Sequence, residues 1–321
     1  MLVVTGAAGF IGSVVVAALN AGGESDVVAV DTLGVHGKFK NLRTRSLIDI
    51  MSPESLMEGL NGGSIKPTGI VHMGAISDTL EQDADRLLEM NTHYTRRLAE
   101  YCVRHGVRFI YASSASVYGD GALGFGDSDA VTPKLLPMNA YGFSKWLFDA
   151  EAIRKGWTDK IVGLRFFNVF GPNEYHKDRG ASVVFHSYGQ IRDTGKIRLF
   201  ESHRDGIADG EQKRDFVYVH DVVDVVLWLL KESKVSGIFN VGSGKARSFN
   251  DLANAIFSAL GKEPNIEYIP TPETIRDHYQ YFTEADMSRL RAAGYAREFH
   301  PLEDTVADYV NGYLTQPNPY R

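Results

Sequence analysis

Cysteine is almost missing from this sequence: Cys102 stands alone among 321 residues. A single thiol excludes an internal disulfide and a multi-cysteine zinc site, and the expected setting is a reduced, cytoplasmic one. Long apolar runs are missing too. The richest stretch, Val222–Leu230, is interrupted by Asp224, and none reaches the roughly 18 residues of a membrane span. There is no excess of positive charge. The 34 Lys and Arg residues against 40 Asp and Glu residues give a net charge of −6, which excludes a generally basic nucleic-acid coat. No Lys or Arg precedes Lys38, so the apolar start Met1–Leu19 lacks the charged n-region of a secretory signal. What remains is ordinary globular composition, 44% hydrophobic and 23% charged, over about two domains' worth of chain. No repeat or low-complexity tract is present, and no metal is expected.

Apolar runs alternate with helix-like stretches through the first half. Leu2–Val4, Val27–Val30, Gly69–His72, Arg108–Ala112 and Ile161–Arg165 read as buried strands. Amphipathic segments such as Asp85–Arg104 lie between them. This alternation predicts an α/β fold, a Rossmann-type doubly wound parallel sheet. After residue 167 the character changes, with loop-like stretches at Gly171–Gly180 and Glu201–Gln212. The second of these carries three acidic residues before Gly210. The expected division is a nucleotide-binding domain over 1–167 and a smaller α/β substrate domain over 168–321. Segments near 213–242 return to the first, with Phe216–Val219 and Ile238–Val241 as further strands of its sheet.

Thr5-Gly6-Ala7-Ala8-Gly9-Phe10-Ile11-Gly12 follows the first strand and opens a helical pattern, Ser13–Asn20. Glycines let a chain turn tightly and let its backbone approach a pyrophosphate. A helix N-terminus then offers free N–H groups and partial positive charge. Asp31 ends the second strand nineteen residues after Gly12, where a carboxylate accepts from ribose hydroxyls. The pattern predicts a dinucleotide site. Lys38, Lys40, Arg43 and Arg45 follow with no acid between Thr32 and Ile48. That cationic cluster favours NADP, with NAD as the alternative.

Tyr141 and Lys145 stand four apart behind Pro137 and Asn139, which are helix-start signals. On a helix they share a face. A nearby ammonium favours the phenolate, so the pair suits proton exchange with an alcohol during hydride transfer. Ser113-Ser114 closes a strand, and ligands of open α/β sheets bind at the carboxyl ends of strands. Ser114 is therefore the candidate to orient the reacting oxygen.

These motifs, with His72-Met73-Gly74-Ala75, Asn91, Ser113–Gly119 and Arg165-Phe166-Phe167-Asn168-Val169-Phe170-Gly171-Pro172, make the chain similar to the short-chain dehydrogenase/reductase superfamily. The match is to its extended, nucleotide-sugar-modifying branch. Dehydratases of that branch follow their serine or threonine with an Asp-Glu pair, whereas here Ala115 and Ser116 follow Ser114. Epimerisation remains. The second half carries Tyr175-His176-Lys177, Ala181–His186, Leu199-Phe200-Glu201, Lys213–Val219, Tyr279-Gln280 and Leu290–Tyr295. These resemble the ADP-heptose 6-epimerase family of lipopolysaccharide core precursor synthesis.

The resemblance implies inversion of C6 of an ADP-linked heptose through a 6-keto sugar. Two bases flank the carbon, at positions matching Tyr141 and Lys177. It implies cofactor contacts at Gly6, Gly9, Phe10, Ile11, Gly12, Asp31, Thr32, Lys38, Met73, Gly74, Ala75, Ile76, Ser77, Asn91 and Lys145. It implies substrate contacts at Asn168, Val169, Arg179, His186, Phe200, Glu201, Arg214 and Tyr279. A homo-oligomer, a pentamer by the same resemblance, is implied as well. Two positions depart from the family pattern. Pro53 stands where relatives can carry a further cofactor-binding lysine, and the Ser202–Gln212 loop is longer and more acidic than usual. The residues taken by themselves leave a nucleotide-hexose 4-epimerase (UDP-, GDP- or dTDP-sugar) as the alternative. Read alone, His186 on an apolar segment suits a core histidine, and Arg214 suits a partner for Asp215.

Overall fold

The computed structural model describes residues 1–276 and 279–320. Short, largely apolar runs with every residue buried form inner strands of the sheet: β2 (Val27–Val30), β4 (Gly69–His72) and β6 (Val162–Phe166). Runs apolar on both faces need layers on both sides, which parallel strands with crossover helices supply. β1 (Leu2–Thr5), β3 (Asp49–Met51), β5 (Arg108–Ser114) and β10 (Gly237–Val241) complete seven strands in the order β10-β6-β5-β4-β1-β2-β3, every pairing parallel. The chain reverses direction across the sheet between β1 and β4, which opens a crevice at their carboxyl ends.

The helices follow from local chemistry. α1 (Phe10–Ala21) is buried almost all round, as a helix wedged onto a sheet must be. α2 (Pro53–Gly62) starts on Ser52, whose hydroxyl accepts from Ser55 N, with proline in the first turn. The stretch predicted as one helix over 85–104 is α3 (Ala84–Leu87) and α4 (Tyr94–His105), joined by a single π-helical segment, Leu88–His93. α5 (Ala140–Arg154) is capped by Asn139, whose side chain accepts from Gly142 N at 2.7 Å.

The sequence reading missed β3 and α2. β3 is three residues long, exposed at two of them and at the sheet edge, so it carries no alternating hydrophobic signature. A second correction concerns 216–219. That strand, β9 (Lys213–Tyr218), does not rejoin the main sheet. It pairs with β7 (Asn168–Phe170) and β11 (Ala246–Ser248) in a separate three-stranded sheet. Val219 already opens α7 (Val219–Lys231), which packs Val222, Val225 and Val226 into the same core as Val14, Val15 and Val16 of α1. The rest includes α6 (Val183–Thr194), α8 (Phe249–Ala259), α9 (Leu302–Tyr309), and the pair β8 (Ile197–Phe200) and β12 (Ile266–Ile269). Among the described residues, no helix is long and apolar enough to cross a membrane.

Candidate active site

A cleft of about 770 Å³ lies at the carboxyl ends of β1, β4 and β5. One wall is the glycine loop with Asp31, Thr32 and Lys38, continued by Met73, Gly74, Ala75, Ile76 and Ser77. Two glycines are obligatory there. A Cβ on Gly12 would sit 2.1 Å from Gly6 O. Gly6 has φ +64°, and a Cβ on it would sit 2.6 Å from Gly74 N. Gly9 caps α1 without a side-chain acceptor, so the first-turn amides of Phe10, Ile11 and Gly12 remain for a ligand. Asp31 accepts from Ala8 N at 2.9 Å and from Lys38 Nζ at 2.6 Å. Its charge is thereby offset by a lysine at the place where an adenosine ribose would lie. Pro53 lines the cleft as well.

Asn91 has a different place from the other cofactor candidates. It does not line the cleft. Its side chain accepts from Ile76 N at 2.9 Å and donates to Ile76 O and Ser144 Oγ, both at 3.0 Å. Asn91 thus fixes the loop after β4 to α5.

The floor is Ser114, Tyr141 and Lys145. Ser114 is the last residue of β5, and its hydroxyl accepts from Ser116 N at 3.2 Å. Lys145 Nζ donates to Ala112 O at 2.9 Å. Burial brings its amine down to about 8, against the pull of the Asp149 carboxylate. The expectation that Lys145 lowers the tyrosine is corrected here. Burial raises the Tyr141 phenol, and the group that favours its phenolate is a hydrogen bond with Ser114. The side chain is 9% exposed, so desolvation of the anion outweighs a partner one helical turn away.

The opposite wall comes from the second half: Asn168, Val169, His176, Lys177 and Arg179. The Lys177 ammonium lies 5.6 Å from the Phe10 ring centre. Burial lowers its amine, and the Glu174 carboxylate opposes that. The wall is joined to the glycine loop by Asn41, whose Nδ2 donates to Ala8 O at 2.9 Å and to Asn173 O at 3.1 Å. Asn173 donates to Ser13 Oγ at 3.0 Å. Arg179 pairs with Asp78 at 2.6 Å across the mouth. Asn41 and Glu174 went unread in the sequence. A polar residue in a loop-like stretch carries no mark of burial, and only the closure in space of Asn41 and Asn173, 132 positions apart, reveals it.

The remaining substrate candidates lie outside this cleft. Phe200, Arg214 and Tyr279 form a group of their own. The Arg214 guanidinium stacks on Tyr279 at 5.3 Å and on Phe249 at 5.7 Å, and Phe200 meets Tyr279 edge-on at 6.3 Å. Arg214 is 8% exposed and makes no ion pair among the described residues. Its sequence neighbour Asp215 is taken by Ser243, Gly244 and Ala285, which answers the local-pair reading. Burial lowers the guanidinium. The Ser202–Gln212 loop brings His203 against Tyr279 at 6.0 Å. Glu201 is tied through its backbone to Ile269 and Thr271. His186 is exposed on α6, not a core histidine.

The donor set fits a nicotinamide dinucleotide: free first-turn amides, a glycine cradle with no room for a side chain, and a carboxylate with a lysine at the ribose end. Among the described residues, no group of three His, Cys, Asp or Glu side chains is placed to hold a metal ion. Residues 2–242 match the NAD dependent epimerase/dehydratase family, and the chain belongs to it. Within that family it is 50% identical, over all of both chains, to a Nitratidesulfovibrio vulgaris protein named ADP-L-glycero-D-manno-heptose-6-epimerase. It is 45% identical, again over all of both, to one of the same name from Fusobacterium nucleatum. Among solved structures, Helicobacter pylori ADP-L-glycero-D-manno-heptose-6-epimerase superposes with TM-score 0.80 at 28% identity, covering 97% of this chain and 95% of that one. A UDP-N-acetylglucosamine 4-epimerase from Methanobrevibacter ruminantium also reaches TM-score 0.80, at 25% identity, covering 97% of this chain and 96% of that one.

Proposed function

We propose that this chain inverts C6 of the heptose in ADP-D-glycero-D-manno-heptose, giving the L-glycero epimer for lipopolysaccharide core precursor synthesis. The observation that carries the reading is the pairing of Tyr141 and Lys177. These two proton-handling side chains come from opposite halves of the chain and line one cleft with the glycine loop. A hexose 4-epimerase needs one such group. A nicotinamide cofactor held by the glycine loop, Asp31, Thr32 and Lys38 would supply reversible hydride chemistry at the carbinol carbon, with no net redox change.

The chain's own residues handle the rest. One of Tyr141 and Lys177 takes the C6 hydroxyl proton, and a 6-keto sugar results. The sugar turns over in the cleft so that C6 is reduced on its opposite face, and the other residue supplies the proton to the C6 oxygen. A lysine serves as a base once its amine is depressed, and burial of Lys177 acts in that direction. Ser114 orients the oxygen, and Lys145 stands beneath. Arg214, buried without a carboxylate, offers a fork for diphosphate oxygens, and Tyr279 and Phe200 offer faces for the base and ribose.

NADP is the cofactor of choice in this reading, held by the glycine loop, Asp31, Thr32, Lys38 and Met73–Ser77. The Asp31–Lys38 pair supports it, because the neutralised carboxylate repels a 2′-phosphate less. Mass spectrometry of nucleotides released on denaturation distinguishes NADP from NAD. Cytoplasmic location and a homo-oligomer, with a pentamer as the expected state, accompany the reading. Light scattering of the purified protein tests the assembly.

The functional test is incubation with ADP-D-glycero-D-manno-heptose and assignment of C6 by NMR. Inversion is expected, and an unchanged sugar in the presence of bound cofactor rejects the proposal. The equal superposition on a 4-epimerase makes a nucleotide-hexose 4-epimerase the second reading. Under it Lys177→Met keeps its activity, whereas here that variant and Tyr141→Phe each lose it.

A further inference from the structure

We propose that Glu174 is the positioning residue for Lys177: its carboxylate clasps both ends of the 171–182 segment and so holds the lysine in the cleft wall. The inference rests on the reading of Lys177 as the second proton-handling group. Glu174 is fully buried and does not itself line the cleft, so it acts through its neighbour and not on substrate.

The clasp is specific. One carboxylate oxygen accepts from Gly171 N at 3.4 Å and from Ser182 Oγ at 2.7 Å. The other accepts from Ser182 N at 2.5 Å. Gly171 follows β7, and Ser182 caps α6 by accepting from Phe185 N. A single side chain thus joins the strand end to the helix start. Between them, Lys177 N donates to Glu174 O at 3.0 Å and Gly180 N to Lys177 O at 2.8 Å. Lys177 therefore sits at the junction of two turns.

Asn173 (φ 76°) and Asp178 (φ 46°) flank that junction. Among the described residues, they are the two non-glycine positions in the left-handed region. Such conformations persist where surrounding structure over-determines them. Gly171 N, Ser182 N and Ser182 Oγ donate to the carboxylate and the Tyr309 hydroxyl faces it, a set that favours the ionised form, while burial pushes the carboxyl up. The other charged groups near Lys177 are already engaged. Lys38 is on Asp31, Arg179 is on Asp78, Asp178 faces His36, and His176 is held neutral. Glu174 is the anion that acts on the Lys177 amine.

The test uses the purified holoenzyme and ADP-D-glycero-D-manno-heptose. Glu174→Ala is expected to lower kcat about 100-fold, the scale of a misplacement near 1 Å, with KM within about threefold. Added to Lys177→Met, it should cause no further loss, because both changes disable one group. Glu174→Gln keeps an acceptor for Ser182 and should recover about tenfold of the lost rate. The acidic limb of its kcat–pH profile should move to lower pH, since a neutral amide no longer favours the ammonium. A purely architectural role predicts additive losses and an unmoved profile, and either result overturns the proposal. So does Glu174→Ala at near wild-type kcat beside an inactive Lys177→Met. An active Lys177→Met removes the base assignment itself, which is a separate failure. If Glu174→Ala does not fold, the Glu174→Gln profile decides alone.

Discussion

Arg214 shows what a single buried cation asks of its surroundings. This guanidinium is buried between two aromatic rings, its neighbouring carboxylate is engaged elsewhere, and beyond one hydrogen bond to Lys213 O its fork has donors left for an anion or water. Arg214→Met is expected to raise KM roughly 30-fold or more, the loss when one partner of a buried charge pair is removed. kcat should change much less, as steady-state kinetics on the ADP-sugar will show. A KM within twofold of wild type removes Arg214 from the substrate site. The motif around Arg214 was legible in the sequence as a resemblance. Its lack of a carboxylate partner was not, because nothing in Lys213-Arg214-Asp215 says that Asp215 turns away.

At the scale of elements, α5 does more than display Tyr141 and Lys145. Asp149, one turn further on, accepts from Tyr111 Oη, Ser113 Oγ and Arg165 Nε, each at 2.9 Å. Arg165 reaches on to Tyr118 Oη and Thr132 Oγ1. This fully buried pair locks the helix to β5 and β6, the strands that frame Ser114. Asp149→Ala leaves Arg165 buried and unpaired, so a loss of about 3–5 kcal/mol is expected in urea unfolding. The combined Asp149→Leu/Arg165→Met protein should recover part of it; equal destabilisation in both proteins contradicts the account. The helix start at Asn139 was readable, since a cap uses residues three apart. The role of Asp149 was hidden, because its partners lie on two other strands, β5 and β6.

The whole molecule responds to acid through a histidine far from solvent. His72 ends β4, bonded to Thr5 Oγ1 and Thr95 Oγ1, and burial with the nearby Lys145 ammonium holds it down to about 3. An unfolded chain takes up a proton on this ring near its ordinary 6.5, while the folded one does not. The unfolded state thus binds more protons between those values, and stability falls as pH drops from about 6.5 towards 3. Above 6.5 the histidine contributes no pH dependence. Calorimetric Tm values between pH 7.5 and 4.5 should fall, and His72→Asn, though less stable throughout, should show a flatter slope. An identical slope rules out this source of acid sensitivity.

By itself, the chain determined the features that depend on near neighbours or on periodicity. These are the buried apolar strands, the glycine loop whose turn no side chain fits, the Asn139 cap and the four-residue spacing of Tyr141 and Lys145. The tertiary structure alone decided what depends on distant segments meeting. It sent β9 into a second sheet, moved Asn91 from the cleft wall to a brace, and raised the Tyr141 phenol by burial where proximity to a lysine suggested the reverse. It also brought Lys177 and Tyr141 to the lining of one cleft. Desolvation, long-range hydrogen bonds and charge pairing are properties of enclosed space, and a linear pattern records only which groups are available to be enclosed.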